Sequence, residues 1–263
     1  MFKDGVLPDF IPERIYDLIC LTSKKRVTSK EAAEFLEPLT LNNIHEYYQK
    51  VLNASIELGL IKKDDDYLCY IGGDECIKSL DCFRKYCNSV VWKDEESLFF
   101  KITSAFVESN YEFLKYDNIT SPLVNVYIMK HTNDRNADVK RLRGHRFWLS
   151  FLGIGLIQER NEIYFLPNMC VAMRDFIALS SIERNKEYTI REFFNIISEV
   201  GKICITTCMK DLKLSAAISN ALRTLHDSKE IELERLLDSK EVWSMIKSDV
   251  HMYTDITHII VRR

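Results

Sequence analysis

The sequence predicts an α+β protein, mostly helical, made of tandem winged helix-turn-helix units around a helical central region. Three observations lead there. A helix running into a hairpin recurs along the chain, the helices ahead of two of these hairpins come in helix-turn-helix order, and the composition suits several small cores with no catalytic or membrane signature.

The recurring pattern is an amphipathic helix that ends at a Leu-Gly-Leu-Ile-like step and enters two short strands joined by a polar turn. Its first copy is Leu58, Gly59, Leu60, Ile61, followed by KKDDDYLCYI. The second is Ile154, Gly155, Leu156, Ile157, followed by QERNEIYFLP. The third, in modified form, is LHDSKEI from Leu225 to Ile231, followed by ELERLLDSKEVWSMI. Gly59, Gly155 and the Ser-Lys pair of the third copy are where each helix is expected to leave in a left-handed turn. The alternating apolar residues Tyr67, Cys69 and Ile71, and likewise Ile163 and Phe165, predict a two-stranded ribbon folded against its helix.

Ahead of the first hairpin, Ile15, Leu18 and Ile19 mark a first helix. Thr28 and Glu31 form a capping-box pair opening a second through Ala32, Ala33 and Leu36, and Asn42 opens a third. The third helix is expected to bury Ile44, Tyr48, Val51 and Leu58. Ahead of the last hairpin, Thr189 caps a helix through Phe193, Ile196 and Ile197, and a short helix follows at about Thr207 to Leu212. KLSAAISNALRTLHDS then places Leu214, Ile218, Ala221, Leu222 and Leu225 on one face at three- and four-residue spacing. Ile256 to Val261 is expected as a strand that completes the small sheet. In between, Glu95 to Tyr116 reads as one long helix with Phe99, Ile102, Phe106 and Val107 in register, and the apolar stretch to Met129 has no assigned type. The organisation is therefore a winged unit over 1–75 and another over 186–263. Residues 76–185 are either a degenerate winged helix or a helical connector with its own hairpin.

With 263 residues, 46% of them apolar and 29% charged, and only 8 Gly and 5 Pro, the chain is an ordinary globular sequence. A formal charge of −3 excludes a broadly basic DNA-coating protein, so any nucleic-acid contact must be local. The eight cysteines sit largely in apolar settings and are expected as reduced thiols. The start lacks a basic segment followed by an apolar one, and the longest apolar run, Phe147 to Ile157, is far short of the roughly 20 residues of a membrane span. The expected location is the cytoplasm, with no membrane partner.

Candidate nucleic-acid contacts fall in three places. On the first third helix, Asn42, His45 or Glu46, Gln49 and Asn53 line a polar face, and amide side chains pair bidentately with adenine. The same residue types also describe a plain solvated face, and the wing beside it carries Asp64, Asp65 and Asp66, which repel phosphate. The strongest basic cluster is DVKRLRGHRFW, with Lys140, Arg141, Arg143 and Arg146. If helical, it buries Leu142, Leu149 and Leu152 and turns Lys140, Arg143 and Phe147 outward, a surface for phosphate or for an acidic protein. On the last third helix, Ser219, Asn220, Arg223 and His226 lie opposite the apolar stripe, where a winged helix meets the major groove.

Cys82 and Cys87, Cys204 and Cys208, and His251 and His258 lack the two close pairs of a structural zinc site, and no metal or cofactor is expected. Phosphate-loop, dinucleotide, zincin and hydrolase motifs are absent from the sequence. Glu230, Glu232 and Glu234 alternate as a nuclease's acids do, but in a wing they read as solvent-facing charges.

At RGHRFWLSFLGIGLIQERNEIYFLP, and again from LSAAISNALRTLHDSKEIELERL through the terminal THIIVRR, the sequence resembles the DpdG family of accessory proteins from bacterial anti-phage islands that modify or restrict DNA. The resemblance lies in apolar framework and helix termini, and it carries over no catalytic residue. It implies a non-enzymatic component of a multi-gene defence system, associated with double-stranded DNA or with other subunits. The alternatives from other classes are a protein adaptor that never touches bases and a divergent metal-dependent nuclease.

Overall fold

A computed structural model of the chain describes residues 2–41, 44–109, 121–159, 163–204, 211–247 and 254–262. They form a mixed α/β protein in which helix predominates and the sheets are small and antiparallel.

The N-terminal part runs α1 (Pro12–Lys24), β1 (Val27–Thr28), α2 (Ser29–Leu36), α3 (Tyr48–Glu57), β2 (Ile61–Asp64) and β3 (Tyr67–Tyr70). Pro12 sits in the first turn of α1, where its missing N–H costs nothing, and Ile15, Leu18 and Ile19 face inward as expected. The capping box of Thr28 and Glu31 is formed in both directions. The strands pair in the spatial order β1-β3-β2.

Two sequence expectations fail here. The inward residue of β3 is Leu68, paired with Val27 and Lys63, while Tyr67 and Ile71 are exposed. The turn at Asp65, which has φ +52°, sets a register one residue out of phase with the expected one, and that reverses the faces. Ile44 is exposed too, because α3 starts at Tyr48 and Ile44 precedes it.

The central part holds α4 (Leu80–Val90), α5 (Leu98–Glu108), α6 (Ser121–Thr132), α7 (Val139–Leu152), β4 (Gly155–Glu159) and β5 (Ile163–Pro167). The helix expected from Glu95 to Tyr116 covers Leu98–Glu108, with Phe99, Ile102, Phe106 and Val107 all buried, and its expected end lies outside the described residues. Of the unassigned stretch to Met129, the described residues from Ser121 on are helical.

The C-terminal part runs α8 (Cys170–Leu179), β6 (Glu187–Thr189), α9 (Ile190–Ile197), α10 (Ala216–Asp227), β7 (Ile231–Glu234), β8 (Trp243–Ser244), β9 (Asp255–Ile256) and β10 (His258–Val261). Thr189 and Glu192 form a second capping box, and the order β6-β10-β7 repeats the first-third-second arrangement of the N-terminal sheet. Asp211 and Leu212 have φ near +58° and +54°, so no helix extends to Leu212, and residues 205–210 lie outside the described set. α8 precedes residue 186 and packs on α10 and α4. Between α4 and α8, the buried Asp175 accepts from Arg84 and from Asn88, whose Oδ1 takes the Trp92 indole N–H.

The recurring helix exit is a real structural repeat. Gly59, Gly153 and Lys229 each take a left-handed conformation, with φ of +71°, +74° and +60°. In each copy the next residue's N–H reaches back five positions, Leu60 to Ser55, Ile154 to Leu149 and Glu230 to Leu225, as in a Schellman cap. A second bond closes each hairpin onto that same residue, from Ile71 to Leu60, Asn168 to Ile154 and Arg262 to Glu230. In the second copy the left-handed residue is thus Gly153, two positions before the expected Gly155. Gly155 instead opens β4, where a Cβ would lie 2.6 Å from the Leu166 carbonyl oxygen.

Candidate nucleic-acid interface

The repeat gives a common frame for the three helices that precede the hairpins, α3, α7 and α10. Ten residues before the left-handed position stand Gln49, Arg143 and Ser219, and six before it stand Asn53, Phe147 and Arg223. These equivalent places have three different environments.

On α3, Gln49 and Asn53 are exposed, and the Gln49 amide donates to Asn53 Oδ1 at 2.8 Å. Asn42 lies outside the described residues. The N-terminus of α3 is occupied by the Glu37 carboxylate, which accepts from the N–H groups of Glu46, Tyr47 and Tyr48 at 3.0, 2.9 and 3.1 Å. A protein carboxylate therefore stands where a helix would otherwise receive phosphate. Lys50 is paired with Asp9, and at the end of β2 Asp64 is paired with Arg26.

On α10 the expected outward face is covered. Ser219 and Arg223 are buried: Arg223 Nη2 donates to the Ile246 carbonyl, and the Ile246 N–H donates to Ser219 Oγ. Asn220 donates to the Pro167 carbonyl, and the Leu233 N–H donates to His226 Nδ1. The cause is the long connection between β7 and β10, which folds back across α10 and buries Trp243 and Met245. Ser219 and Arg223 thus hold that connection, Asn220 holds the central hairpin and His226 holds β7, and the four present no reading face.

On α7 the expectation of a basic outward stripe holds. Leu142, Leu149 and Leu152 are buried, while Lys140, Arg143 and Ser150 are exposed. At 3.6 residues per turn, Lys140, Arg143, Phe147 and Ser150 share one face, with Arg146 at its edge. The Arg146 guanidinium lies over the Phe147 ring, 4.6 Å from its centroid. Arg141 is different. It turns away, donating from Nε to the Asp4 carbonyl and pairing with Asp138, so it anchors the helix.

The backing of α7 is rigid. A Cβ on Gly144 would come within 2.3 Å of the Val6 carbonyl oxygen, so glycine is what admits the N-terminal segment against the helix. Trp148 Nε1 donates to the Phe10 carbonyl at 2.9 Å. His145 stacks on Phe99 with centroids 4.9 Å apart and donates from Nδ1 to the Arg141 carbonyl. Burial pushes the His145 imidazole down to about 4, so it is neutral near pH 7.

The two acids at the start of α7 are turned to backbone work: Asp138 accepts from the Arg141 N–H and Asp134 from the Asn136 N–H. Lys130, at the end of α6, and Arg135, in the turn, are exposed beside Lys140 in sequence order. Neither cation was anticipated, since each stands apart from the Lys140 to Arg146 run in the sequence. The α7 face offers Lys140, Arg143 and Arg146, with the planar Phe147 ring beside the Arg146 guanidinium.

Among the described residues no group of three or more His, Cys, Asp or Glu side chains is placed to hold a metal ion. Glu230 is held by Arg174 and Glu232 by Arg262, so two of the three alternating acids stand in separate ion pairs. None of the seven described cysteines is in a disulfide, and Cys208 and His251 lie outside the described residues. No described helix is long and apolar enough to cross a membrane. Compared with protein-family models, curated proteins and solved structures, the chain matches none.

Proposed function

We propose that this chain is a non-enzymatic, DNA-associated component built from winged helix-turn-helix units, and that it meets double-stranded DNA through α7 of its central unit. The observation that carries the proposal is the α7 stripe of Lys140, Arg143, Arg146 and Phe147 on a helix whose opposite face is fixed to the core. The winged-helix reading is supported by the order helix, strand, helix, helix, hairpin, with first-third-second strand pairing, at both ends of the chain. The central part shares the helix exit and hairpin closure of those two units. In this reading Lys140 and Arg146 meet phosphates and Arg143 reaches base edges. The resemblance to the DpdG family extends the proposal to a cytoplasmic role in an anti-phage system.

Fluorescence anisotropy with a generic labelled duplex, titrated at about 50 mM and about 200 mM salt, tests it, because phosphate-driven binding falls steeply over that range. Binding that collapses at the higher salt and leaves the duplex intact in the presence of magnesium is the expected result. No binding at either salt refutes DNA association, and magnesium-dependent cutting replaces it with a nuclease.

A further inference from the structure

A cleft of about 540 Å³ opens where α4 and α8 meet α10 and the C-terminal sheet, a size that suits a small ligand. Its apolar lining is Val171, Ile177 and Ile182, together with the buried Leu225, Ile231 and Val261. The charged residues that line it are four cations, Arg84, Lys85, Arg174 and Arg184, and three acids, Asp81, Asp175 and Glu230.

Each of the three acids is already committed. Glu230 accepts from Arg174 Nε and Nη2 at 2.8 and 2.6 Å and from Ser228 Oγ at 2.7 Å. The buried Asp175 accepts from Arg84 Nε and from Asn88 Nδ2, both at 2.9 Å, so the Arg84 guanidinium is fixed from its protein side. Its Nη1 donates to Asp81, whose side chain is 80% exposed. Lys85 and Arg184, by contrast, enter no ion pair. The cleft thus carries a surplus of positive charge in a chain whose formal charge is −3.

We propose that this cleft binds a small organic oxyanion, a carboxylate or phosphate monoester carried on an apolar group. Arg84, held by Asp175, offers Nη1 to the anion, which displaces the exposed Asp81 from it. Lys85 and Arg184 supply further donors. The apolar part of the ligand lies against Val171, Ile177 and Ile182. Two features set this site apart from a surface that merely collects ions. A guanidinium fixed before binding loses little freedom on binding, and the apolar lining adds affinity that a bare ion cannot use.

The test uses the full chain without nucleic acid, so its outcome is independent of the DNA reading. Titration calorimetry is run with octanoate, phenyl phosphate, inorganic phosphate and octylamine, each to about 10 mM, beyond the millimolar range of weak ligands. Octanoate or phenyl phosphate should bind at least about tenfold more tightly than inorganic phosphate, and octylamine should not bind. Whichever of the first two binds more tightly identifies the head group. Lys85→Ala with Arg184→Ala should weaken binding about fivefold or more, and Asp81→Asn, which opens Arg84 Nη1, should tighten it about threefold. Glu96→Gln, the same charge change outside the cleft, should leave it unchanged. Circular dichroism verifies folding, and the Ile177 and Ile182 methyl resonances of the wild-type protein should shift on titration, which places the ligand without any variant. The proposal is overturned if neither octanoate nor phenyl phosphate binds, or if octylamine binds as well as they do. Inorganic phosphate that binds as tightly as phenyl phosphate makes this an adventitious ion only. Affinity that ignores the Lys85 and Arg184 changes, or methyl shifts confined to other parts of the fold, overturns it too.

Discussion

Arg223 donates from Nη2 to the main-chain oxygen of Ile246 at 2.5 Å, and the same residue returns a bond from its N–H to Ser219 Oγ at 3.0 Å. This pair of bonds locks the connection from β7 to β10 over α10. A hydrogen bond from a charged donor contributes about 1.5–3 kcal/mol. Arg223→Gln should therefore lower stability by about 2 kcal/mol in urea denaturation and leave the duplex affinity of the folded protein unchanged. Loss of duplex binding with no loss of stability would return Arg223 to the interface.

Arg143 occupies on α7 the place that Ser219 occupies on α10, but in solvent. Replacing it with Gln removes a cation from the stripe without touching the buried side of the helix. The expected outcome is roughly tenfold weaker duplex binding and a salt slope smaller by about one, read by anisotropy across a salt series. Melting temperature should change little, since the contacts of an exposed arginine contribute at most about 1 kcal/mol.

His145 gives the stability a pH dependence. Its imidazole is held neutral in the fold with a pKa of about 4, below the ordinary value of 6.5, so as pH falls the unfolded chain takes up its proton first. The stabilisation is fully present above about pH 6.5 and is lost progressively as pH falls through 4, by about 3 kcal/mol in all. Urea titrations from pH 7 to pH 4 should show this slope, and His145→Phe, which keeps the stacking on Phe99, should flatten it.

The three left-handed helix exits should respond differently to substitution. At Gly59 the only close neighbour of a new Cβ is Tyr86 Oη at 3.7 Å, so Gly59→Ala meets mainly the left-handed penalty of about 1 kcal/mol. At Gly153 the Cβ would fall 2.5 Å from Val171 Cβ and 2.8 Å from the Ala172 nitrogen, and Gly153→Ala should cost about 3 kcal/mol or more. Lys229 already bears that strain, so Lys229→Gly should stabilise by about 0.5 kcal/mol. Thermal denaturation of the three variants checks the order.

Much of this architecture is legible from local chemistry. Thr28 with Glu31, and Thr189 ahead of its helix, announce helix starts because an N-cap is satisfied within three residues. The stripe from Leu214 to Leu225 announces its buried face because helical spacing is fixed. The basic face of α7 follows in the same way from Leu142, Leu149 and Leu152. The phase of β3 was not legible, because Leu68 lies in a run of apolar residues, where alternation has no unique reading. The two-residue slip at the second hairpin has a similar origin: Gly153 and Gly155 are equally able to leave a helix, and only contact with Val171 and Leu166 tells them apart.

The sequence by itself determined the helices, their caps, the recurrence of helix and hairpin, and which side of α7 is basic, since all of these rest on interactions within a few residues. Only the tertiary structure decided that, of three equivalent helices, α10 has its outer face covered while α3 and α7 do not. Gln49, Arg143 and Ser219 hold the same place in the repeat. Glu37, ten or so residues upstream of one, and Ile246, far downstream of another, fill the first helix's N-terminus and cover the third helix. The free energy that covers α10 comes from contacts between segments distant in the chain, Ile246 with Ser219 and Arg223, and no local pattern encodes such contacts.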